Sequence, residues 1–224
     1  MVLSTREKAR ILTEFLEKRY ANVTYPRSTP FHVLIRTIIS QRNRDELTDE
    51  IFERNFSSFH HPSDIAGLSE KELMHLLKPA GLYRQKAKAI LKTCKILSER
   101  YNDEIPRTRE ELMALPGVGG KTADIVLSYG FGEDVVACDT HVIWISNAIG
   151  IVKSTDPDIV RENLMELIPP GHRKMFNIRA VAFGKEICVT SRPHCELCEL
   201  NKICDYFRSN FLKKHKNKEK NNIA

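Results

Sequence analysis

Pro116 and three glycines, Gly117, Gly119 and Gly120, constrain this chain more than any other feature of it. They sit in LPGVGGKTADIVLSYGFGEDVVACDTH, residues 115–141, and turn directly into an apolar-periodic run, Ala123, Ile125, Val126 and Leu127. The period is helical, and the preceding ELMAL looks helical too, so the glycine turn lies between two helices. Glycines there let the backbone approach an anion closely, and the free N–H groups of a first helical turn point outward to receive it. Lys121 stands at the start of that helix. Such a turn has three competing meanings: a plain helix–turn–helix corner, a nucleotide P-loop, or a helix-hairpin-helix. The last grips a nucleic-acid phosphate through backbone amides and reads no sequence. Gly120-Lys121-Thr122 matches the end of G-x-x-x-x-G-K-[ST], but the first glycine of that motif would fall on Leu115, and no strand precedes it. The P-loop is excluded.

Asp139-Thr140-His141 follows 18 residues after Lys121, and the apolar pattern resumes through Val142, Ile143, Trp144 and Ile145. Asp139 is therefore placed to N-cap another helix. A helix over Thr122–Phe131 rises roughly 15 Å. The extended return over Gly132–Cys138 can span about 23 Å. The Asp139 carboxylate can thus come back level with Lys121, and an amine and a carboxylate facing one phosphate grip are the parts of a nucleophilic site on DNA.

Four of the six cysteines fall within 17 residues, as Cys188-x6-Cys195-x2-Cys198-x5-Cys204. In a reducing compartment such clustering marks a metal site rather than a disulfide set. All-thiolate ligation suits zinc or an iron–sulfur cluster. Cys94 and Cys138 stand alone and read as small buried apolar residues. The N-terminal MVLSTREKARIL carries charges where a signal peptide needs an apolar run, and no stretch is long enough to span a bilayer. The expectation is a cytosolic chain, associated with the nucleoid, or nuclear in a eukaryote. The formal charge of +6 hints at an anionic partner, but residues 205–224 hold six Lys/Arg against Asp205 and Glu219, which puts +4 in the tail and leaves the body nearly balanced.

Helical patterns cover about 5–20, 30–41, 44–55, 69–77, 84–101, 108–114, 121–131, 140–149, 157–168 and 172–187. Ser4…Glu7, Ser69…Glu72 and Thr108…Glu111 match the capping-box pattern. No alternating run supports a strand. The fold class is all-α, and 224 residues can hold one large or two small domains without disulfide stapling.

LPGVGGKTAD…VVACDTHV, together with the cysteine spacing, resembles the endonuclease III branch of the helix-hairpin-helix, Gly-Pro-Asp superfamily of DNA glycosylases, over roughly residues 5–207. The resemblance implies a six-helix domain over 23–133 and a cluster domain of 1–22 and 134–207, with double-stranded DNA across the cleft between them. Residues 208–224 would form a basic, disordered tail. It implies a [4Fe–4S] cluster on Cys188, Cys195, Cys198 and Cys204, in a monomer that needs no membrane. Gly117, Val118, Gly119 and Gly120 would hold a phosphate. Gln41 and Leu82 match the residues that fill the space left by a flipped base, flanked by a basic cluster of Arg84, Lys86 and Lys88. Arg42 and Arg44 would add phosphate contacts, although ISQRNRD departs from the small-residue version of bacterial members. Lys185, Arg192 and Lys202, with His194, would offer positive charge to phosphate or merely solvate their loop. His141 would touch the flipped nucleotide or act as a hydrogen-bond partner behind it.

The implied chemistry is removal of oxidised pyrimidines and strand nicking. Lys121 attacks C1′ of a flipped nucleotide, the base leaves, and a Schiff base drives β-elimination of the 3′ phosphate. A free lysine is neutral in only about one molecule in a few thousand at pH 7. Partial burial and the positive end of a helix would both favour the neutral amine. Asp139 would accept a proton or offset charge developing on the sugar. Members that remove adenine or mismatched thymine lack this lysine or carry an early catalytic Glu, and no Asp or Glu lies between Tyr25 and Arg44. Nor does the chain continue into the extra domain of adenine-removing members. A mismatch-directed pyrimidine glycosylase, a non-catalytic helix-hairpin-helix module and a cluster-based electron carrier are the alternatives.

Overall fold

The structure, a computed structural model, describes residues 3–25 and 27–211. Its helices are α1 (Thr5–Arg19), α2 (Pro30–Ser40), α3 (Asp45–Asn55), α4 (Pro62–Ala66), α5 (Glu70–Leu77), α6 (Tyr83–Tyr101), α7 (Arg109–Met113), α8 (Gly120–Ile125), α9 (Thr140–Ile149), α10 (Pro157–Leu167) and α11 (Phe176–Glu186). No strand occurs among the described residues, so the all-α expectation holds. The chain divides into two compact units, Pro26–Glu133 and Met1–Tyr25 with Asp134–Ala224.

The unit Pro26–Glu133 is built on α2. Its sequence PFHVLIRTIIS is apolar nearly all round, and such a helix belongs in an interior. Phe31, Val33, Leu34, Ile35, Ile38 and Ile39 are all buried. Thr29 starts it by accepting the His32 N–H at 3.2 Å, with Pro30 in the first turn. Helices α3, α6 and α8 pack around it, and α4 and α5 lie on α6. Truncating a fully buried member such as Leu34 to alanine would cost about 2–5 kcal/mol.

The helix expected over 121–131 changes form midway: α8 gives way to a π-helical turn, Val126–Phe131. That turn lays Gly130 against the start of α2, where a Cβ would stand 2.8 Å from the Pro30 Cα. Helix α4 was not expected, because five residues with Ile65 as the one long apolar side chain give too short a periodic signal. The Asp64 carboxylate secures its start by accepting the N–H groups of His60 and His61 at 2.8 and 2.9 Å.

In the other unit α1 opens with the anticipated capping box: Glu7 N–H donates to Ser4 Oγ at 3.2 Å, and Ser4 N–H to Glu7 Oε2 at 2.7 Å. Ser69…Glu72 forms the same box at α5. At α7 the Thr108 hydroxyl accepts the Glu111 N–H at 3.3 Å and donates to the Glu111 carboxylate at 2.6 Å. Leu12 and Leu16 of α1 share one core with Val142, Ile145, Phe183 and Leu200. The helix expected from residue 172 begins only at Phe176. Pro169 and Pro170 resist helix there, Gly171 takes φ +88°, and Asp134 holds the loop by accepting N–H groups of Gly171, Arg173 and Lys174 at 2.6, 3.0 and 3.2 Å. Order continues into the start of the expected tail: Phe207–Phe211 is a π-helical turn, with Arg208 paired to Asp205 at 2.5 Å. The rest of that tail lies outside the described residues.

Candidate functional site

The hairpin turn is shaped by close packing. Gly117 has φ +80°, and a Cβ on it would meet the Ala89 Cβ at 2.9 Å, so no other residue fits without a shift. Thr93 Oγ1 donates to Pro116 O at 2.8 Å and fixes the turn to α6. Val118 points inward, 7% exposed, and its N–H is already given to Leu115 O at 3.1 Å. Gly119 caps α8 without a side chain. The Ala123 N–H is bonded back to Gly119 O at 2.9 Å, and the helix start leaves the N–H groups ahead of it directed outward. Lys121 is exposed in that first turn, rather than partly buried as the sequence suggested. One turn on, Asp124 is buried against Arg109 at 3.4 Å and holds α8 to α7.

Gln41 and Leu82 occupy exposed turns of the same unit. The Gln41 amide donates to Gly117 O at 2.9 Å, which links its turn to the hairpin. Leu82 is 46% exposed with φ +58°, directly before α6. Arg84, Lys88, Arg42 and Arg44 are exposed. Lys86 is not part of that basic surface: it is 4% exposed and donates to Ile39 O at 2.7 Å. Burial pushes its pKa down to about 8.

In the second unit Asp139 caps α9, accepting the His141 and Val142 N–H groups at 3.0 and 2.9 Å. The extended segment before it is pinned by Asn177, whose Nδ2 donates to Ala137 O at 3.0 Å. His141 lies against α11, where a Cβ on Gly184 would come within 2.4 Å of its Nδ1. That nitrogen is buried and has no hydrogen-bond partner among the described residues. Lys185, Arg192, His194 and Lys202 are exposed.

Cys188, Cys195, Cys198 and Cys204 line a single pocket, walled also by Phe183, Leu200 and Tyr206. A 3₁₀ turn over Cys195–Leu197 presents the middle pair. Among the described residues no three His, Cys, Asp or Glu side chains converge as a single metal ion requires. Burial pushes all four thiols up, Cys195 to about 11 and Cys188 to about 12. The Trp144 indole N–H meets no acceptor at full hydrogen-bond geometry, yet it acts on Cys188 as a donor would, opposing part of that rise. Trp144 also packs edge-on against Tyr206 at 5.2 Å. Cys94 and Cys138 are buried elsewhere, at 0% and 4% exposure.

Lys8 escaped notice in the sequence. It is 4% exposed and donates to Ile149 O at 2.9 Å and to Asp205 Oδ1 at 2.7 Å, tying α1 to the residue after Cys204. The signal was available: Lys8 shares the i, i+4 stripe of Leu12 and Leu16, just as Lys86 shares that of Ile90 and Cys94.

A sequence model of the HhH-GPD superfamily of base excision DNA repair proteins matches residues 35–170. Endonuclease III of Thermotoga maritima is 40% identical over 197 residues, which cover 88% of this chain and 92% of that one. The structure is similar to that of a trapped endonuclease III–DNA covalent intermediate in an estranged-adenine complex, with a TM-score of 0.86 and 32% identity over 93% of this chain and 100% of the other. A non-covalent endonuclease III–DNA complex matches with the same score and identity, over 93% of this chain and 99% of its own. An exposed lysine behind a glycine hairpin, an acid capping a later helix and a four-cysteine cavity are thus found in a sequence with these relatives, and the chain belongs to the HhH-GPD superfamily of base excision DNA repair proteins and, within it, to the endonuclease III family.

Proposed function

We propose that this protein is a bifunctional DNA glycosylase and abasic-site lyase, which removes oxidised pyrimidines from double-stranded DNA and nicks 3′ of the abasic site. The observation that carries this is Lys121, exposed in the first turn of α8 directly behind the hairpin, in a chain 40% identical to an endonuclease III. The amine of Lys121 attacks C1′ of the flipped nucleotide and the base departs. Cleavage of the C1′–O4′ bond, with O4′ taking up a proton, opens the sugar to a Schiff base that acidifies the C2′ proton, and loss of that proton expels the 3′ phosphate. Asp139 supplies the negative charge that this sequence needs as the sugar turns cationic. The outward N–H groups at the head of α8, with Gly119 and Gly120, hold a phosphate. Arg84, Lys185, Arg192 and Lys202 contribute contacts to the backbone, and Gln41 and Leu82 fill the vacated stack. The protein acts as a monomer on the nucleoid.

In the same proposal Cys188, Cys195, Cys198 and Cys204 hold a [4Fe–4S] cluster, and the surrounding unit is its domain. The chemistry of the donor set fits: four thiols share one pocket, and all-thiolate ligation suits an iron–sulfur cluster. Thiols held protonated by burial become ligands as metal displaces their protons. Bound there, the cluster supplies a covalent staple for residues 188–204.

Lys121→Gln should abolish both borohydride trapping and strand cleavage on thymine glycol duplexes while binding persists. A covalent complex that still formed would remove Lys121 from its role. Faster turnover of T·G or U·G mismatches than of thymine glycol would instead make this a mismatch glycosylase. For the cysteines, the purified protein should be brown and contain four irons, and Cys198→Ser should lose the colour; a colourless zinc protein would contradict the cluster.

A further inference from the structure

One side chain braces two turns of the unit Pro26–Glu133. Asn43 Oδ1 accepts the Gly81 N–H at 2.9 Å, across to the turn that carries Leu82. Its Nδ2 donates to Ile39 O at 2.9 Å and closes the turn that carries Gln41. Ile39 O takes a second donor, the buried Lys86 Nζ at 2.7 Å, from the helix that Leu82 begins. The two turns meet closely: a Cβ on Gly81 would stand 3.3 Å from Asn43 Oδ1 and 3.5 Å from Arg42 O. Each turn also holds a non-glycine residue in the left-handed region, Arg42 at φ +57° and Leu82 at φ +58°. Such conformations persist only where the surroundings over-determine them. Gln41 is anchored in turn to Gly117 O of the hairpin.

We propose that Asn43 is a positioning residue that joins the Gln41 and Leu82 turns into one preformed wedge for opening the duplex. This rests on the glycosylase function proposed above. Without the brace each turn would have to be ordered separately as the nucleotide leaves the stack, and that ordering would slow the opening step. A purely local role, as a cap on the end of α2, makes a different prediction. Asn43→Asp keeps an acceptor for the Gly81 N–H and loses the bond to Ile39 O, which retains Lys86. Asn43→Ala loses both.

The test uses the full chain as purified, with a thymine glycol duplex that carries 2-aminopurine beside the lesion to report unstacking. Asn43→Ala should slow unstacking and base excision from the paired duplex by roughly two- to tenfold, the equivalent of losing the one hydrogen bond that joins the two turns. Excision of the same lesion from an unpaired bubble should be unchanged, and Asn43→Asp should restore most of the paired-duplex rate. Gly81→Ala, which crowds the same contact from the other turn, should reproduce the selective loss and serves if Asn43→Ala does not fold. Native rates in both Asn43→Ala and Gly81→Ala, equal losses on paired and bubble substrates, or an aspartate variant as slow as the alanine one would overturn the proposal. A native protein inactive on every lesion duplex would overturn the glycosylase function and this role with it. Native activity with an unaffected alanine variant overturns only the role of Asn43.

Discussion

Asp139 caps a helix and is also the acid we propose for the chemistry, two roles that ordinary mutagenesis would confuse. Its carboxylate accepts two N–H groups at the head of α9. Asparagine caps a helix about as well as aspartate, whereas alanine costs about 1 kcal/mol. Asp139→Asn should therefore leave the melting temperature nearly unchanged and depress base excision strongly. Asp139→Ala should add a drop of about 2–4 °C to the same catalytic loss. Thermal melts beside single-turnover excision separate the two, and full turnover by Asp139→Asn would reduce the residue to a cap. His141, two residues on, depends on Gly184. A Cβ there would sit 2.4 Å from its Nδ1, so Gly184→Ala should cost about 1–3 kcal/mol by overpacking. Melting that matches the native protein would show that the ring moves freely aside.

At the scale of elements, what could be read from the sequence followed the strength of the local signal. The caps at Ser4 and Ser69 and the helix start at Asp139 were legible because each needs only a few neighbouring residues. The late start of α11 was not, because no Gly or Pro between His172 and Phe176 breaks a helix locally. The distant carboxylate of Asp134 is what holds 171–174 out of the helix. The switch from α8 to a π-helical turn was equally hidden, since it serves a contact with α2 almost 100 residues earlier. Gly130 makes that contact testable. Its missing Cβ would meet the Pro30 backbone at 2.8 Å, which no rotamer change relieves. Gly130→Ala should destabilise by about 1–3 kcal/mol and lower the melting temperature accordingly. A neutral substitution would show that the π-helical turn does not need to lie so close to α2.

At the scale of the molecule, α1 completes a core whose other members lie beyond residue 134, a pairing that periodicity could not reveal. The function was legible because the hairpin, Asp139 and the cysteines are each compact in sequence. Lys8 and Asn43 were missed, and Lys86 was read as surface charge, because their partners lie 141, 38 and 47 residues away. These long-range polar ties give the protein a definite acid response. Burial alone would raise the pKa of Asp205, but hydrogen bonds from Lys8 and Arg208 outweigh it and hold the carboxyl below its usual range. Burial likewise opposes ionisation of Asp134, and the N–H groups of Gly171, Lys174 and Arg173 reverse the balance. A folded pKa below the unfolded value of about 3.9 means that the unfolded chain binds protons first on acidification. The stabilisation is thus complete at neutral pH and is lost as pH falls below about 4. Both groups are partly solvated, so each contributes on the order of 1 kcal/mol or less. Denaturant unfolding between pH 7 and pH 3 should show stability declining toward the acid end, and a double Asp134→Asn, Asp205→Asn variant should start lower and decline less steeply. A variant whose acid slope equalled that of the native protein would place the proton-linked stability on other carboxylates, such as Asp64, whose pKa is lowered by the His61 and His60 N–H groups.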